Sequence, residues 1–139
     1  MTLREFVNTM AFGILMGIHP DKRRRTEHSM TETYKKNYFF LPKVYCKDGF
    51  NISVQVNNGN YCGSEGGYRT FGIDWMLVEW GFPSEQIDAE KYNAEGYAYE
   101  ANIDTTKSVG GFVDITLMEE LIQEHGGIDL QTTLGKAME

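Results

Sequence analysis

Three histidines, His19, His28 and His125, and two cysteines, Cys46 and Cys62, are the side chains best suited to catalysis or metal binding, and they are scattered. There is no G-x-S-x-G elbow, and neither cysteine has a histidine and an acid at a recognisable spacing. Zinc sites usually draw on close pairs such as C-x2-C or H-x3-H. None occurs here, so a metal would need Cys46 and Cys62 to meet a histidine and a carboxylate through the fold. Pairing about an Asn58-Gly59 turn would instead put Cys62 opposite Gln55 and leave Cys46 in another hairpin, as buried or edge thiols. The glycine-rich residues 63–67 have no Walker lysine, and Glu65 would repel phosphate. No D-x-[DN]-x-[DN]-G loop is present for calcium. Paired carboxylates such as Glu119-Glu120, or Asp88 with Glu90, have no spacing that selects them as a glycosidase pair. The expectation is a protein that is not an enzyme, with no cofactor and no metal, in which His125 caps a helix C-terminus.

The acidic residues are more distinctive. Residues 1–43 carry eight Lys/Arg and four Asp/Glu, a balance of +4; residues 44–139 carry five and sixteen, a balance of −11, which together give the net −7. The densest part holds Asp74, Glu79, Glu85, Asp88, Glu90, Glu95, Glu100 and Asp104 against one base, Lys91, with Trp75, Trp80, Tyr92, Tyr97 and Tyr99 interleaved. Carboxylates attract Lys and Arg at long range, and rigid aromatics supply anchor area once water is excluded. Those acids together with Tyr92, Tyr97 and Tyr99 are the candidate partner-binding residues. The partner they suit is a protein with a basic groove, not nucleic acid and not a membrane. The basic run at residues 22–25 reads as a solvated linker.

These side chains must be held by an α+β fold, with a mostly antiparallel sheet of about four to five strands and N-terminal, short middle and C-terminal helices. Thr2 and Glu5 form a capping box ahead of Leu3, Phe6, Val7, Met10, Ile14 and Ile18 at helical spacing, predicting a helix over residues 3–18. Phe12, Leu15 and Met16 lie off that stripe, so its second half should be buried, for instance against a second subunit. Its apolar stretch of about 13 residues is short of the ~20 a bilayer span needs. Met30 offers a second start, so residues 1–29 read as an extension of a single domain at 30–139.

Residues 43–46 and 50–56 form a hairpin, with Phe50, Ile52, Val54 and Val56 alternating against polar residues. Asn57-Asn58-Gly59-Asn60 reads as a second hairpin turn. Residues 73–82, apolar on both alternating sets, read as a central strand covered on both sides. Ser84 would cap a short helix to Glu90. Residues 92–108 read as a loop, residues 109–113 as a strand, and Thr116 with Glu119 as a capping box for a helix ending at Gly126. Residues 129–139 read as a frayed tail.

At 139 residues and 41% hydrophobic content the chain can bury one core without staples. Two cysteines are not a secreted disulfide scaffold, which favours a reducing cytosol. The motifs Tyr61-Cys-Gly-Ser-Glu-Gly-Gly-Tyr-Arg-Thr-Phe71, Val78-Glu-Trp-Gly-Phe-Pro-Ser-Glu85 and residues 119–128 resemble small phage and prophage accessory proteins of gut bacteria, over about residues 38–130. The resemblance implies a mobile-element setting. By analogy with small acidic anti-defence proteins it implies an anti-CRISPR inhibitor, acting in the host bacterial cytosol on a CRISPR effector nuclease. The alternatives are a phage assembly protein that oligomerises through residues 3–18, and a small metal-dependent hydrolase.

Overall fold

A computed structural model describes residues 1–15, 40–56, 62–64, 67–68, 75–92 and 103–139. The fold is α+β, as the sequence predicts. Helix α1 (Leu3–Leu15) begins with the expected box: Thr2 N–H donates to Glu5 Oε1 at 3.2 Å and Glu5 N–H to Thr2 Oγ1 at 3.1 Å. Its buried stripe of Leu3, Phe6, Val7, Met10 and Ala11 belongs to the main core. Leu3 N–H donates to Glu119 at 2.8 Å, and Asn8 Oδ1 accepts from Trp75 N–H at 2.6 Å. Residues 3–11 are therefore not an extension of the domain, because their apolar face is part of its core. Phe12, off that stripe, is 55% exposed, so the expected burial of the second half is not seen at that residue. Ile18 and the basic run at 22–25 lie outside the described residues.

Among the described residues six short strands form one antiparallel sheet: β1 (Val44–Tyr45), β2 (Asn51–Gln55), β3 (Gly63–Ser64), β4 (Gly67–Tyr68), β5 (Trp75–Gly81) and β6 (Val109–Asp114). The order is β1-β2-β5-β3-β4, with β6 on the other edge of β5. Strands β2 and β3 lie end to end along one edge of β5, beside Glu79–Gly81 and Trp75–Leu77 respectively. Gln55 thus faces Glu79 and not Cys62, which corrects the expected second hairpin register. Gln55 is buried and exchanges two hydrogen bonds with the Leu41 main chain, at 2.8 and 3.0 Å.

Strand β5 is central, as expected, but only one face is well covered. Trp75, Val78 and Trp80 are buried, while Met76 is exposed and Leu77 and Glu79 are half-buried. Register shifts on both edges, opposite Gly63/Ser64 and at Val78/Trp80, break the simple alternation. That is why its apolar residues mimic a strand buried on both sides.

Strand β6 runs directly into helix α2 (Ile115–Glu124), which packs with α1 against β5. Its N-cap is Asp114, which accepts from Thr116 N–H at 2.8 Å, so Glu119 is left to reach Leu3 instead of closing a box with Thr116. Gly126 takes φ +90° after the helix, as predicted.

Residues 84–90 are not helical. Ser84 is held by β2, its N–H donating to Asn51 O at 2.8 Å and its Oγ accepting from Asn51 N–H at 2.9 Å. The terminal residues are not frayed either: α3 (Leu130–Ala137) is capped by Asp129, which accepts from Thr132 N–H at 3.0 Å. Thr133, fully buried, accepts from Tyr45 N–H at 2.9 Å and donates to Tyr45 O at 3.3 Å, while Asp129 N–H donates to the same carbonyl at 2.8 Å. The C-terminal segment therefore covers the open edge of β1.

Candidate functional site: an acidic cleft at His125

Three segments meet at one end of α2. The β1–β2 turn brings Asp48, the loop after β5 brings Glu85, Asp88 and Lys91, and α2 brings Leu121, Glu124 and the His125 that ends it. A cleft of about 470 Å³ opens between the loop and the helix, with Ile87, Leu121 and Tyr92 among its apolar lining and Glu85, Asp88 and Glu124 among its carboxylates.

The loop takes its shape from hydrogen bonds at Ser84, Gln86, Ile87 and Asp88. Ser84 ties it to β2. Gln86 brackets the 103–105 segment, donating to Ile103 O at 2.8 Å and accepting from Thr105 N–H at 3.0 Å. Ile87 N–H donates to the buried Thr105 Oγ1 at 2.8 Å. Asp88 Oδ1 accepts from Glu90 and Lys91 N–H, both at 3.1 Å, turning the chain back toward α2. Trp80 Nε1–H donates to Tyr92 O at 2.6 Å and fixes the loop's far end.

His125 is the joint of the cleft. Its ring stacks on Phe50, with centroids 3.9 Å apart and planes 9° from parallel. Nδ1 lies 2.7 Å from Asp48 Oδ2, and Nε2 lies 3.7 Å from Glu85 Oε1. Asp48 also accepts from Phe50 N–H at 2.9 Å. That hydrogen bond first, and then the one with His125, hold the Asp48 carboxyl below its ordinary pKa. Lys91 is held above its ordinary value by the neighbouring Tyr92 side chain, with Glu124 and Glu120 adding to the effect, so it stays a cation. Its ammonium sits 5.3 Å from the Tyr92 ring centroid.

Chemically, this is a fixed imidazole flanked by carboxylates and one cation. No serine, threonine or cysteine is among the residues that line the cleft. The nucleophiles it offers are the Glu85, Asp88 and Glu124 carboxylates, the His125 imidazole and the Tyr92 phenol, with Lys91 held as a cation. No described cluster of three or more His, Cys, Asp or Glu could hold a metal ion. Cys46 and Cys62 are both buried and not joined in a disulfide. Burial pushes the Cys46 thiol up to about 12, with Asp48 and Glu119 contributing repulsion.

Of the residues singled out from sequence, Glu85 and Asp88 line the cleft and Glu90 is exposed in the adjoining turn. Tyr92 is 3% exposed, so it is a core residue that lines the cleft and not a surface anchor; that expectation is corrected. Asp104 caps the 3-10 turn at Thr105–Lys107, and its bonds to Thr106 lower its pKa. Glu79 sits half-buried on β5. Asp74, Glu95, Tyr97, Tyr99 and Glu100 lie outside the described residues. Sequence reasoning missed Asp48 and Glu124, and it gave His125 only a capping role. Asp48 and His125 are 77 positions apart, so no local spacing could reveal their pairing.

No protein-family model, curated protein or solved structure matches the chain. No described helix is long and apolar enough to cross a membrane.

Proposed function

We propose that this chain is a non-catalytic binding protein that engages the basic groove of a nucleic-acid-handling protein through the face around its acidic cleft. The observation that carries this reading is the fixed convergence of Glu85, Asp88 and Glu124 from two elements, with Asp48 joined to them through His125. A rigid group of carboxylates speeds encounter with Lys/Arg-rich surfaces and excludes the nucleic acid that would otherwise occupy them. The −11 balance of residues 44–139 extends the same field over most of the chain. The phage-like motifs narrow the proposal further, to an anti-CRISPR inhibitor of an effector nuclease in the host bacterial cytosol.

The test is a cleavage and pull-down assay against purified effectors, with Glu85→Lys, Asp88→Lys and Glu90→Lys combined. Inhibition should fall at least tenfold at low salt, and wild-type inhibition should weaken as salt rises. Inhibition that survives the triple charge reversal at low salt would exclude this face.

A further inference from the structure

Two aromatic residues, Phe82 at φ +50° and Phe112 at φ +53°, occupy the left-handed backbone region that bulky side chains rarely adopt. Their surroundings differ. Phe112 is 7% exposed, so burial of its ring offsets the strain. Phe82 is 52% exposed and recovers much less by burial. Its backbone is nevertheless clamped: Phe82 N–H donates to Ser108 O at 2.9 Å, and Ser84 exchanges two hydrogen bonds with Asn51. Gly81 before it pairs with Val109, which is itself 50% exposed, and Pro83 follows. A glycine would satisfy the backbone at position 82 without strain. The fold instead holds a phenyl ring outward on a rigid support, beside a second exposed apolar residue.

We infer that Phe82, with Val109, is the apolar anchor of a docking surface for a protein partner whose apolar pocket is bordered by Lys or Arg. This rests on the proposed acidic-face function and adds the contact that would carry its specificity. Charge complementarity specifies the cationic border, because the loop leaving Phe82 carries Glu85, Asp88 and Glu90 within eight residues. Aromatic anchors that are held rigid before binding lose little conformational freedom on docking, and are characteristic of interface hot spots. The motif Trp80-Gly-Phe-Pro-Ser-Glu85 thereby acquires a physical division of labour. Trp80 locks the loop inside, Phe82 projects, Ser84 clamps and Glu85 meets the cation.

The experiment uses the full chain, 15N-labelled, titrated at low salt with two synthetic peptides of equal charge, one of lysines alone and one alternating lysine with leucine. The lysine–leucine peptide should bind at least tenfold tighter and shift the amides of residues 81–85 and 109. Phe82→Gly should abolish that advantage while leaving lysine-only binding and the thermal midpoint at or above wild type; Phe82→Tyr should restore it. Glu85→Lys with Asp88→Lys should weaken both peptides. If Phe82→Gly keeps the full advantage, or the shifts map to the exposed Leu130, Leu134 and Met138 of α3, the anchor assignment is overturned while the acidic-face reading stands. If light scattering shows a dimer that Phe82→Gly dissolves, the occupant is a second copy and the assignment is overturned. If neither peptide binds, the acidic-face reading itself fails and takes the anchor assignment with it.

Discussion

A Cβ built on Gly110 would lie 2.3 Å from Trp80 Cε2, and the indole cannot swing away freely because its Nε1–H is bonded to Tyr92 O. Gly110→Ala must therefore displace β6 or the loop that forms the cleft. The expected loss is about 1–3 kcal/mol, as for other overpacked interiors, read from urea unfolding followed by tryptophan fluorescence. Gly135 is the opposite case. It lies within α3 with nothing within 4 Å of an added Cβ, so Gly135→Ala should raise stability by about 0.5–1 kcal/mol. Equal effects at the two positions would mean that the Trp80–Gly110 contact does not constrain the fold. Cys46 supplies another residue-level check. With its thiol buried and pushed up to about 12, it should resist alkylation at pH 8 in the native protein and react fully in denaturant. Rapid native labelling would contradict its burial beside Ile128, its bridge partner.

Among the elements, α1, the β1–β2 hairpin, β5 and α2 are legible in the sequence because each has a local cause, such as a capping box, strict alternation or an apolar run. Ser84 shows where that logic fails. Its type suits a helix cap, but Asn51 offers it two hydrogen bonds across the sheet edge, and the tertiary partner wins. At α2, Asp114 and Thr116 both suit the cap, and the carboxylate two residues earlier takes it. The C-terminal segment was illegible for a related reason. Asp129 and Thr132 are a local cap, but the short helix that follows is held through Thr133, whose partner is 88 residues away. The cleft was half legible, since charge density marked Glu85 and Asp88 while their partners come from distant turns and caps. Thr133→Val tests this element directly. It keeps the shape but leaves the Tyr45 N–H without its acceptor, so it should cost about 1–3 kcal/mol. Hydrogen exchange should quicken first at Tyr45 and through residues 130–137. If exchange there is unchanged, α3 is not held by that contact.

At the scale of the whole molecule two electrostatic effects compete as pH falls. The chain carries −7 at neutral pH and is neutral near pH 5.0, so protonating its exposed carboxylates relieves self-repulsion down to that pH and builds net positive charge below it. Against this stand Asp48, Asp104, Asp129 and Glu5, all held below their ordinary values by hydrogen bonds from backbone N–H groups and neighbouring side chains. An acid whose pKa is depressed on folding binds more protons in the unfolded chain. Its contribution is thus complete above the unfolded value, near 3.8 for Asp and 4.5 for Glu, and is lost as pH falls through the lower folded values. The repulsion acts between exposed groups, and salt at about 0.15 M screens it beyond roughly 8 Å. The hydrogen bonds span about 3 Å, well within that length, and are screened much less. The thermal midpoint should therefore change little from pH 7 to about 5 and fall steeply below about 4, where the hydrogen-bonded carboxylates are lost and positive charge accumulates. Asp48→Asn should lower the midpoint at pH 7 and flatten the acid limb, because the turn that positions His125 then has no carboxylate to lose. A midpoint that stays level as pH drops from 5 to 3 at 0.15 M salt would show that the capping carboxylates do not govern this fold in acid.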